Sequence, residues 1–85
     1  MNSITMRDPK IVFDELIQIL DIFGVNSRRE EMYTVACEYK KLKFMIELHL
    51  VEKFTNIYVL KFYRKGNEYE NYIELCAKIF SKLNL

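Results

Sequence analysis

His49 is the sole histidine of the chain, and Glu47 stands two residues before it. On an extended strand that spacing puts both side chains on one face, where a carboxylate can orient an imidazole as a general base. No activated serine, carboxylate pair or phosphate-cradling loop accompanies them, and a half-exposed strand histidine is the plainer reading. Cys37 and Cys76 lie far apart, with no CxxC and no Cys/His cluster, which argues against a zinc site. Gly24 and Gly66 are the only glycines, too few for a P-loop or a dinucleotide fingerprint. The residues therefore predict no catalytic group, no metal and no cofactor.

The basic residues offer a different chemistry. Asp8, Lys10, Asp14, Glu15 and Asp21 give the segment Asp8 to Asp21 a net charge of −3. Lys40, Lys41, Lys43, Lys53, Lys61, Arg64 and Lys65 against Glu47 and Glu52 give Lys40 to Lys65 a net +5, although the whole chain carries only +1. Lys53, Lys61, Arg64 and Lys65, from a turn and the end of a strand, form a candidate patch for an anionic lipid or an acidic partner. Each lysine beside an anionic bilayer is worth about 1 kcal/mol, in a salt-sensitive way. Solvated strand ends are the alternative reading of the same residues. Nucleic acid is not favoured, because Tyr58, Leu60 and Phe62 occupy the parity needed for a core rather than for stacking.

The elements that must position these groups are legible from spacing. Asp8-Pro9 reads as an N-cap followed by proline in the first helical position. Ile11, Val12, Leu16, Ile19, Leu20 and Phe23 then recur at three- and four-residue intervals, and Gly24 ends the helix. Residues Met1 to Arg7 carry no pattern and read as a loose tail, with the domain spanning 8–85. Val25 to Glu30 reads as a polar connection. Met32 to Tyr39 alternates as a strand, Lys40-Lys41 as a hairpin turn, and the next strand places Phe44, Ile46, Leu48 and Leu50 opposite Met45, Glu47, His49 and Val51.

After a turn at Glu52 to Asn56, the strand Ile57 to Arg64 is apolar on both parities. An antiparallel strand with one wet face should alternate, so both of its faces are expected to be covered. Lys65-Gly66-Asn67 breaks the chain, and a last helix begins near Glu68 with the stripe Tyr69, Tyr72, Ile73, Cys76, Ile79, Phe80 and Leu83. Cys76 on that stripe reads as a buried free thiol.

The predicted class is α+β: an antiparallel β meander in the order α-β-β-β-α, with both helices packed on one face. Phe44, Ile46, Leu48, Leu50, Tyr58, Leu60 and Phe62 are expected beneath the helices. Met45, Val51, Ile57 and Val59 are left on the opposite face as a candidate partner-binding patch. With 85 residues, 51% of them hydrophobic, either the core is very full or apolar surface is held for a partner. The absence of an apolar leader in MNSITMRDPK and of any long apolar run predicts a cytoplasmic domain, with peripheral membrane contact as the variant.

The run FMIELHLVEKFTNIYVLKFYRKG followed by YENYIELCAKIFSKL resembles the kinase-associated-1 type of domain. It is most similar to the C-terminal domain of the catalytic alpha subunit of the AMP-activated and sucrose-nonfermenting Ser/Thr kinases. The matching motifs are Met45-Ile46-Glu47-Leu48, Tyr58-Val59-Leu60-Lys61-Phe62, the helix Tyr72 to Leu83, and the opening helix DPKIVFDELIQILDIFGV. The resemblance implies a non-catalytic regulatory and docking domain of a protein kinase. Its partner would be a regulatory subunit or the kinase's own catalytic domain, the latter giving autoinhibition. Other members of the group bind acidic phospholipids through basic positions that Lys53, Lys61 and Arg64 match here. Those members also carry basic residues on the first helix, where this chain has Asp14, Ile17 and Gln18.

Overall fold

A computed structural model describes residues 2–51, 53, 56–66 and 69–85. The chain runs β1 (Asn2–Thr5), α1 (Pro9–Ile22), β2 (Asn26–Glu31), β3 (Thr34–Tyr39), β4 (Leu42–Leu50), β5 (Tyr58–Lys65) and α2 (Tyr69–Lys82). The strands form one antiparallel sheet in the order β1-β5-β4-β3-β2. The class is α+β, with both helices on one face. The sheet has five strands where the sequence predicted three, and a strand precedes the first helix.

Both additional strands are edges, which is why their sequences hide them. β1 reads NSIT and β2 reads NSRREE, so neither has the alternating apolar residues that reveal a half-buried strand. Their order comes from hydrogen bonds offered by β5 and β3. Asn2–Thr5, expected to be a loose tail, pairs with Tyr58–Lys61, and Ser27, expected in a connection, pairs with Cys37. All six β2 side chains are exposed, and charges with a register irregularity between Arg29 and Glu31 guard this edge against further pairing.

α1 starts and stops as predicted. The Asp8 carboxylate accepts from the Lys10 N–H at 2.9 Å, and Pro9 occupies the first turn. At the far end the Val25 N–H donates to Leu20 O at 2.9 Å and the Gly24 N–H to Asp21 O at 3.0 Å, a Schellman closure. Gly24 sits at φ +74°, where a side chain would be strained.

The core lies between the sheet and the two helices. Val12, Phe13, Leu16 and Leu20 from α1 and Cys76 and Ile79 from α2 are fully enclosed, over Val35, Phe44, Ile46 and Leu60. Phe44 meets Tyr72 edge-on at 5.7 Å and lies parallel to Phe62 at 6.5 Å, and Phe62 continues to Phe80 at 4.8 Å. Leu75, outside the predicted stripe, is also buried. Glu68, the expected helix start, and most of the Glu52–Asn56 turn lie outside the described residues.

Two expected core residues are not enclosed. Leu50 is 54% exposed and its partner Tyr58 only half-buried. Their parity is right, but a 14-residue helix spans about 21 Å whereas the nine-residue β4 spans about 30 Å, so the strand outruns its cover.

The N-terminal segment is latched to the end of the chain. The Thr5 hydroxyl is buried and donates to Leu85 O at 3.3 Å, while the Arg7 N–H donates to Thr5 Oγ1 at 3.1 Å. The Arg7 guanidinium donates to Asn84 O and forks onto Glu15 with bonds of 2.9 and 2.8 Å. This hydrogen bond, aided by the guanidinium's charge, holds the Glu15 carboxyl below its ordinary value of 4.5. A depressed folded value stabilises above the unfolded value and is lost as pH falls through the folded one. Wild-type protein is therefore expected to unfold at higher denaturant than Glu15→Gln above pH 4.5, with the two curves converging on acidification.

Candidate functional site

Antiparallel register decides which side chains share the face that the helices leave open. Moving across the sheet, Ile4, Val59 and His49 form one row, and Asn2, Lys61, Glu47 and Thr34 the next. Tyr63, Met45, Ala36 and Arg28 form a third row, and Lys65, Lys43, Glu38 and Asn26 a fourth. Beyond the first row, Val51 N–H donates to Ile57 O at 2.8 Å, which puts those two residues beside His49 and Val59.

The face consequently has two unlike ends. At the β4–β5 turn, Val51, Ile57 and Val59 are half-buried, and Ile4 is 64% exposed beside them. Met6 and Leu50 are exposed around the same end. Three of the four apolar residues expected as a contact patch are thus neighbours. Met45, the fourth, stands apart beside the exposed Tyr63, beyond the polar row and about 13 Å along the sheet from Val59's row. Ile4 was not foreseen, because an isolated isoleucine in NSIT carries no periodic signal.

The opposite end is basic. Lys43 and Lys65 face each other directly across β4 and β5, with the Lys40-Lys41 turn next to them. Like charges directly opposite are destabilising. The four basic residues grouped from the sequence do not form one patch. Lys53 lies in the β4–β5 turn at φ +77°, and β5's eight residues put roughly 23 Å between the ends of that strand. Lys61 sits mid-sheet, half-buried between Asn2 and Glu47, and Arg64 shares Phe44's side of the sheet. The structure brings Lys65 to Lys43, not to Lys53. Beside that pair, a groove of about 300 Å³ on the open face is bordered by Arg28, Glu38 and Met45.

Glu47 and His49 do meet as their spacing predicted, with Oε1 and Nε2 2.5 Å apart. Their row neighbours are Thr34, Lys61 and Val59, and neither this groove nor the second cavity described below is lined by either residue. Among the described residues no three His, Cys, Asp or Glu side chains are grouped to hold a metal ion. No helix among them is long and apolar enough to cross a membrane.

Cys37 and Cys76 are free and buried in the core. Burial, with the neighbouring Cys76, pushes the Cys37 thiol up to about 12. Burial pushes Cys76 to about 11 against an opposing hydrogen bond from Tyr72. At pH 7 Cys37 is therefore held as the thiol, and the thiolate is the reactive form. Native protein is expected to resist Ellman's reagent at both positions, and both thiols should react at once in urea. Since both folded values exceed the ordinary 9.0, this contribution to stability is complete below pH 9 and is lost as pH rises through 11 to 12.

Compared with known proteins, the chain matches no family model and no curated sequence.

Proposed function

We propose that this chain is a non-catalytic docking domain that works by burying the apolar end of its open sheet face against a protein partner. The observation that supports it most is the cluster of Ile4, Val51, Ile57 and Val59 at one end of the open face of a sheet that has helices on the other. Surface apolar residues scattered singly need no explanation, but a contiguous group does. Together with the resemblance to kinase-associated-1 domains, this reading makes the chain a C-terminal regulatory domain of an AMP-activated-type Ser/Thr kinase. The partner proposed is a regulatory subunit, corresponding to the beta subunit on which this domain docks in the AMP-activated kinases it resembles. Light scattering on an equimolar mixture with that subunit should show a one-to-one complex. Two separate species at micromolar concentration would reject the assignment of partner.

A second reading, contact with an anionic membrane, is favoured by the Lys43–Lys65 pair beside the Lys40-Lys41 turn, an end that stays net positive with Glu38 opposite Lys43. Vesicles containing phosphatidylserine should then sediment the domain at low salt and release it at high salt. Lys43→Gln with Lys65→Gln should weaken that binding about tenfold or more, at about 1 kcal/mol per charge. Failure to sediment at low salt removes this reading and leaves the first intact.

A further inference from the structure

On the helix side of the sheet, at the basic end, lies a cavity of about 500 Å³. Its floor is apolar: Leu42 and Leu75 are buried and Phe23 and Tyr39 half-buried, from the end of α1, the β3–β4 hairpin and α2. Its rim is cationic, with Lys40 and Lys41 from the turn and Lys78 from α2, against the single carboxylate of Glu74. The Lys40 ammonium stands 5.3 Å over the Tyr39 ring, within reach of a cation–π attraction. A cavity of this size, with apolar residues at its base and Lys40, Lys41, Asn71, Glu74 and Lys78 around it, has the form of a site for a ligand with one apolar and one polar end.

The hairpin supplies a second, independent sign. Tyr39 pairs with Leu42, so Lys40-Lys41 is a two-residue loop, and Lys40 is held at φ +55°. Two-residue hairpins place glycine or asparagine where φ is positive, because a larger side chain is strained there. Lysine is thus a poor choice for the fold. Such conformations cluster at binding and active sites.

We infer that this cavity binds a small amphipathic anion: an aliphatic chain of medium length on the Phe23, Leu42 and Leu75 floor, its carboxylate or phosphate monoester head between Lys40, Lys41 and Lys78. The site shares no residue with the Ile4–Val59 docking end, so either assignment stands or falls alone. The head group carries the recognition, and Glu74 opposes it.

Titration calorimetry with decanoate and with decyl phosphate tests the inference on the whole chain. Saturable one-to-one binding of at least one is expected, with decanol and decyltrimethylammonium at least tenfold weaker. Lys40→Gly should raise the thermal midpoint by relieving the turn and yet weaken the anion at least fivefold. That combination separates a binding role from a structural one. Lys41→Gln with Lys78→Gln should weaken it further, and Glu74→Gln should tighten it. The inference is overturned if neither anion saturates at millimolar concentration, if decanol binds as well as decanoate, or if Lys40→Gly leaves affinity unchanged.

Discussion

Replacing Phe44 with alanine is expected to remove about 3–5 kcal/mol of stability. Phe44 is 1% exposed in the core, meeting Tyr72 of α2 edge-on and lying parallel to Phe62 on the adjacent strand. Truncating a buried phenylalanine costs about 3–5 kcal/mol, since the cavity collapses only in part. A domain of this length holds about 4–13 kcal/mol in total. A urea titration should move the midpoint of Phe44→Ala down by that loss divided by the urea slope, about 1 M or more. Phe44→Leu, which keeps most of the volume, should recover much of the loss. If the alanine variant shifts the midpoint by less than 1 kcal/mol equivalent, the ring does not join sheet and helix as described.

The second large effect concerns binding more than stability. Ile4→Glu with Val59→Glu puts two carboxylates on the apolar end of the open face. Ile4 is mostly exposed and Val59 half-buried on a face without helices, but the two are cross-strand partners. Repulsion between the new carboxylates should therefore lower the thermal midpoint, and the fold of the variant is checked by circular dichroism. In a complex, each apolar side chain of this size is worth about 1.5–3 kcal/mol when fully buried. Losing two corresponds to about 10² to 10⁴ in affinity for the partner subunit. Lys43→Gln in the same assay should have little effect, because it lies at the basic end. Equal losses from both variants would mean that the whole face docks.

The fold was legible where side-chain chemistry and burial coincide. Asp8, Pro9 and Gly24 marked the limits of α1 because capping and a left-handed stop each demand a small set of residues. Phe44, Ile46 and Leu48 marked β4 because one of its faces is sealed. β1 and β2 stayed hidden for the converse reason: edge strands such as NSRREE need no buried side chain, and their order is supplied by β5 and β3. The two-sided apolar pattern of β5 has a specific cause. Leu60 and Phe62 meet the core, while Val59 lies beside Ile4 on a face that no element of the described chain covers. The expectation that both faces of this strand are covered is therefore met on one side only.

The candidate site was legible in parity but not in distance. Val51, Ile57 and Val59 fell on one face because side chains alternate along a strand. Lys53 and Lys65 looked close because both flank the same strand, yet an extended strand separates its ends more than any other element of equal length. Lys43, which opposes Lys65, is far from it in sequence and came near only through the β4–β5 register.

The central claim is that the apolar end of the open sheet face is the docking surface. Backbone amide chemical-shift mapping, with isotope-labelled domain titrated by the unlabelled beta regulatory subunit, tests this most directly. The account predicts that Ile4, Val51, Ile57 and Val59 shift or broaden most, with Asp14, Gln18 and Lys78 on the outer helix surfaces unmoved. Shifts centred on α1 and α2, with Ile4 and Val59 unchanged, would contradict it.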